Sequence, residues 1–129
     1  MPGLVGQTVL NRYRVVASVG RGGMAEVYKV WDEQRAAYLA MKMLRADLAE
    51  DRIFLRRFSR EATVLEQLQH PNIVRFYGFE QNGRLAFMLM DFIEGDTLRG
   101  RIFDTGGPLP LDEVLWWMRP ICGALHYAH

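Results

Sequence analysis

"VGRGGMAEVYKV", residues 19–30, places three glycines, Gly20, Gly22 and Gly23, within four positions and returns at once to valine and tyrosine. Glycine permits φ > 0 and lets another molecule approach the main chain, at a cost in folding entropy. A loop this rich in glycine, running straight into extended structure, points to something close-fitting set against it. On its two sides, "YRVVASV" (13–19) and "EVYKVWD" (26–32) are dense in β-branched and aromatic residues. The pattern predicts a hairpin closed by the glycine loop.

Working outward, "AYLAMKML" (37–44) reads as a third strand after the polar turn "DEQRA". From Asp47 to His70 the apolar residues change to a helical period, which Pro71 is expected to end. "NIVRFYGF" and "RLAFMLMDF" read as two further strands, with Asn82-Gly83 as the turn. The turn-rich "DTGGPLP" (104–110) then precedes a last helix from Leu111. Three strands, a long helix, two strands and then helices make an α+β fold with an antiparallel sheet of five strands.

The totals agree with a globular domain. The chain has 129 residues, half of them apolar and 24% charged, with a net charge of +1. That balance offers no long-range attraction to nucleic acid or an acidic membrane. The longest apolar run, "LAFMLM" (85–90), is too short to span a bilayer. Cys122 is the one cysteine, so no internal disulfide forms and a reducing, cytoplasmic setting is expected. The first residues lack the pattern of a secretory signal.

Of the 16 basic residues only two, Lys29 and Lys42, are lysine. Lys42 lies among apolar residues on a predicted central strand, where an unpaired buried ion costs several kcal/mol. On the predicted helix, Phe54, Phe58, Leu65 and Leu68 mark an inward stripe, and Glu61 falls on it. An ammonium on an apolar strand and a carboxylate on an apolar helix face are expected to pair. The bland alternative is an edge-strand lysine reaching solvent. The glycine loop is not a dinucleotide-binding one, because it opens a strand rather than a helix and the residue twenty beyond Gly22 is Lys42, not an acid. A glycine hairpin followed by an embedded lysine is the other phosphate-binding arrangement.

With "VGRGGMAEVY", "LAMK", "FSREATVLEQLQHPNIVRFYGF", "FMLMDFIEGDTL" and "ICGALHYAH" in order, the chain resembles a serine/threonine protein kinase of the bacterial type from about Tyr13 to His129. The resemblance implies a small ATP-binding lobe and hinge over 12–93, and the start of a helical large lobe over 94–129. It implies that Gly20, Gly22 and Gly23 cover ATP, with Ala25 standing where a third glycine is usual. Val19, Val27 and Ala40 would line the adenine pocket, with Met90 as gatekeeper behind. Lys42 would hold the α- and β-phosphates, oriented by Glu61. The hinge would read adenine through the carbonyl of Asp91 and the N–H of Ile93, while Leu65 and Phe76 would occupy positions linking helix and sheet.

The catalytic aspartate of the family's H-R-D, and the asparagine and D-F-G aspartate that hold Mg²⁺, are not among these residues, and no metal ligand is assigned here. His126 and His129 have a spacing that could ligate a metal, but no third ligand stands nearby, and helix ends commonly carry histidine. The expected partners are ATP and a protein substrate, with self-association through an exposed C-terminal helix. Residues 1–129 alone are expected to transfer no phosphate. The alternative is a non-catalytic half-kinase serving as a binding or regulatory module; intact Lys42 and Glu61 favour the enzyme. Cys122 is expected to be a packed core thiol.

Overall fold

A computed structural model describes residues 4–23, 25–83, 85–95 and 97–129. Among these residues, six strands form one antiparallel sheet: β1 (Thr8–Val9), β2 (Tyr13–Arg21), β3 (Ala25–Asp32), β4 (Ala37–Leu44), β5 (Phe76–Asn82) and β6 (Leu85–Asp91), in the spatial order β1-β2-β3-β4-β6-β5. The five expected strands are present, and β1 is an addition. It pairs only Thr8 with Arg14 and Val9 with Tyr13, across a turn in which Leu10 and Asn11 both take φ 54°.

The helical region differs from expectation at both ends. A short α1 (Ala46–Ala49) precedes α2 (Arg52–Glu66), and Asp51 separates them by accepting the N–H groups of Ile53 and Phe54. That side-chain cap satisfies donors that the helix itself cannot, so α2 starts there. It closes at Gln67, before Pro71 can act. The hairpin turn is also displaced by one residue. Asn82 is the last residue of β5, paired with Leu85, and Gly83 takes φ 60° in the turn.

Period-2 alternation divides the sheet into two apolar faces. On the back face, Tyr13, Val15, Tyr28, Val30, Leu39, Met41, Phe87 and Leu89 form one core. On the front face, Ala25, Leu44, Ala86 and Met88 form a second core with Phe58 and Ala62 of α2. Phe58 meets Phe79 edge-on at 5.3 Å and stacks on Phe54 at 6.4 Å. These aromatic contacts fix α2 on the β5–β6 side of the front face.

The chain divides into two compact units. The first comprises residues 1–68 and 75–92; the second comprises 69–74 and 93–129. In the second, α3 (Leu98–Thr105) is capped by Thr97, whose hydroxyl accepts the Gly100 N–H, and ends on Gly106 in the left-handed region. Then α4 (Leu111–Ala128) runs on with Pro120 inside it, and the Tyr127 hydroxyl accepts the Gln69 N–H at 2.9 Å. Among the described residues, no helix is long and apolar enough to cross a membrane.

Candidate functional site

Residues directly opposite in adjacent strands share a face and stand about 5 Å apart. Gly20 pairs with Val27, Val27 with Lys42, Lys42 with Met88, and Met88 with Phe79. A second row beside it runs from Ala17 through Lys29, Ala40 and Met90 to Phe76. Both rows lie on the front face, where α2 covers the Phe79 end. Val27, Ala40, Lys42 and Met90 thereby form one patch, apolar except for a half-buried ammonium. Both lysines of the chain are on this face.

Val19 is the extra residue of a bulge between Ser18 and Gly20, and is exposed. A bulge at this point disturbs the ladder just before the glycines. Gly20, Gly22 and Gly23 do not use the left-handed backbone that glycine permits. What distinguishes Gly23 is space: a Cβ there would meet no atom within 4 Å. The loop is closed by the Gly22 N–H donating to the Ala25 carbonyl at 2.9 Å. Arg45 donates to the Gly23 carbonyl at 3.0 Å, tying the loop to the end of β4. At the loop's base Glu26 accepts from Ser18 and Tyr28, and these hydrogen bonds hold its carboxyl below the ordinary range.

At the far edge of the patch, Asp91 ends β6. Its N–H donates to the Arg75 carbonyl at 2.9 Å, and its carboxylate accepts from the Tyr77 hydroxyl. The Lys29 ammonium sits 4.4 Å from the Tyr38 ring centroid and 4.7 Å from that of Phe92, a distance suited to cation–π attraction. Ile93 opens the second unit and is exposed.

The expected pairing of Lys42 with Glu61 is not made in this conformation. Among the described residues no ion pair joins them. The buried stripe of α2 passes through Phe54, Phe58 and Ala62, not through Leu65, which is exposed. At 3.6 residues per turn Glu61 stands about 60° around the helix from Phe58. It is exposed there, lining a groove of about 460 Å³ with Arg57, Arg60, Val64 and Leu65. Phe76 is buried against the front face.

Two contributors escaped the sequence reading. Lys29 is two residues beyond Val27 on the same strand, so alternation alone places it on the same face. Tyr77 carried no signal, because its reach to Asp91 depends on a bulge in β5.

A family model described as the protein kinase domain matches residues 13–129. The chain is 39% identical over 126 residues to the serine/threonine-protein kinase PrkC of Bacillus subtilis, covering 98% of this chain and 19% of that protein. It is 37% identical over 123 residues to the serine/threonine-protein kinase PknB of Mycobacterium leprae, covering 92% of this chain and 20% of that one. The chain thus spans about a fifth of the length of these curated relatives. The crystal structure of the Mycobacterium tuberculosis PknI kinase domain superposes with a TM-score of 0.81 at 32% identity, over 98% of this chain and 52% of that one. The antiparallel sheet with its helix, followed by further helices, is therefore a kinase-like small lobe and the start of a large lobe.

Proposed function

Since this chain belongs to the protein kinase family, we propose that the front face of its sheet, between the glycine loop and Asp91, holds ATP. One observation carries this reading: the strand register gathers Gly20, Val27, Ala40, Lys42 and Met90 into a single patch. An apolar surface suits an adenine ring, and an ammonium beside a glycine loop suits phosphate oxygens. Val19, Val27, Ala40 and Met90 take the base. Gly20, Gly22 and Gly23 lie over the phosphates, with room at Gly23 for an oxygen to approach the main chain. Lys42 donates to the α- and β-phosphates, and the main chain from Asp91 to Ile93 meets the adenine edge. Glu61 orients Lys42 when α2 turns its exposed flank toward β4.

ATP would supply the transferred phosphoryl group, and Mg²⁺, for which no ligand is assigned among these residues, would neutralise its charge. In a protein that also carries the catalytic half, the γ-phosphate passes to a protein serine or threonine. That chemistry belongs to the cytoplasm, where ATP is available. Residues 1–129 alone hold nucleotide weakly and transfer nothing, because no catalytic base or metal clamp is among them. Titration with ATP tests the site: Lys42→Ala is expected to weaken binding at least tenfold, and equal affinity overturns the reading. Incubation with Mg-ATP and a generic protein substrate tests the second part. Phosphate incorporation that Lys42→Ala abolishes would refute it.

A further inference from the structure

The register of β5 breaks where it meets β6. Phe76 lies opposite Met90 and Gly78 opposite Leu89, so Tyr77 is the extra residue of a bulge. Gly78 takes φ 143°, which L side chains rarely adopt, and a Cβ there would stand 3.0 Å from the Glu66 carboxylate. Bulges re-aim side chains and are over-represented beside active sites. The side chain placed by this bulge is Tyr77, whose ring packs on the back-face core.

The Tyr77 hydroxyl donates to one carboxylate oxygen of Asp91 at 2.5 Å, and the Arg75 N–H donates to the other at 3.3 Å. With the Asp91 N–H bonded to the Arg75 carbonyl, the N–H and both carboxylate oxygens of Asp91 are engaged. The tyrosine is itself held. Guanidinium groups of Arg35 and Arg75 lie 4.6 and 5.3 Å from its ring centroid. Arg35 in turn pairs at 2.8 Å with the buried Asp32, which Arg12 also grips. A polar network thus crosses the back of the sheet and ends on the residue where β6 leaves it.

We propose that Tyr77 is a positioning residue for adenine: by anchoring the Asp91 carboxylate from behind, it fixes the peptide that meets the base on the front. The inference rests on the nucleotide reading given above. A peptide already held in its bound orientation loses less freedom when ligand arrives, so affinity for the base depends on the anchor. Phosphate affinity does not, because Lys42 and the glycine loop are not part of this network.

That asymmetry separates positioning from a general contribution to folding. The 129-residue chain and its Tyr77→Phe variant are titrated with ATP and, separately, with inorganic tripolyphosphate, following amide shifts. Tyr77→Phe is expected to raise the Kd for ATP about fivefold, the equivalent of one hydrogen bond, and to leave that for tripolyphosphate unchanged. Asp91→Asn removes the charged acceptor while keeping its size, and is expected to give the same split if Tyr77→Phe fails to fold. Unchanged ATP affinity in both variants overturns the inference, and so does an equal loss for both ligands. A wild-type chain that shows no ATP-dependent shifts fails differently, because it overturns the nucleotide reading and takes this inference with it.

Discussion

Asp32 is fully buried, yet Arg12 and Arg35 reach its two oxygens at 2.8 Å each and the Gln34 N–H adds a further contact at 3.0 Å. Burial alone would push its carboxyl up, but the hydrogen bonds from Arg12, Arg35 and the turn outweigh it and hold the group well below its ordinary 3.8. A carboxyl with its folded pKa depressed contributes stability above its unfolded pKa. That contribution is lost as pH falls, because the unfolded chain then binds the proton more readily. Urea unfolding is therefore expected to show constant stability from neutral pH to about pH 5 and a decline that steepens below about pH 4 and continues past about pH 3. Asp32→Asn should flatten much of that decline and cost about 3 kcal/mol at pH 7, toward the lower end for a broken buried pair because both arginines keep access to water. An unaltered acid limb in the variant would show that other carboxyls set it.

At the scale of elements, α2 is stabilised by the stripe it buries and not by the charges beside it. Phe58→Ala is expected to cost about 3–5 kcal/mol, since it empties the contact with Phe79. Leu65→Ala should cost under about 1 kcal/mol, because its side chain already meets solvent. A double-mutant cycle on Lys42 and Glu61 should give a coupling below about 0.5 kcal/mol in this chain. A larger coupling would mean that α2 spends much of its time turned inward. The Phe54–Phe58 half of the stripe was legible from spacing alone. Its continuation was not, because Ala62 carries it with a side chain too small to register as a hydrophobic period, while Leu65 continued the pattern in sequence only. The break at Asp51 hides inside an otherwise helical run, since a cap is one polar residue among many. Strand β1 has two residues, and two residues have no period. By contrast, the strands carrying Val27, Ala40, Lys42 and Met90 alternate cleanly, and their shared face follows from that alternation once the register is known.

For the molecule as a whole, α4 is the informative helix. Val114, Trp117, Pro120 and Ala124 form its covered side. Leu111, Leu115, Met118, Cys122 and Leu125 form an exposed side that is equally apolar, and Trp116 is 73% exposed between them. The expectation of a core thiol at Cys122 fails here, because the residue lies on the uncovered side. A helix apolar on two sides is built to be enclosed. The isolated 129-residue chain is therefore expected to self-associate with rising concentration in sedimentation experiments, and Trp116→Glu with Leu125→Glu to suppress it. A strictly monomeric chain would contradict this. The proposed nucleotide site was more legible, because its residues lie on neighbouring strands in motifs of fixed spacing. Its direct test is amide-shift mapping of the chain with a non-hydrolysable ATP analogue. Shifts are expected at Gly20, Gly22, Val27, Ala40, Lys42 and Asp91; shifts confined to residues 104–129, with Gly22 and Lys42 untouched, would contradict the assignment.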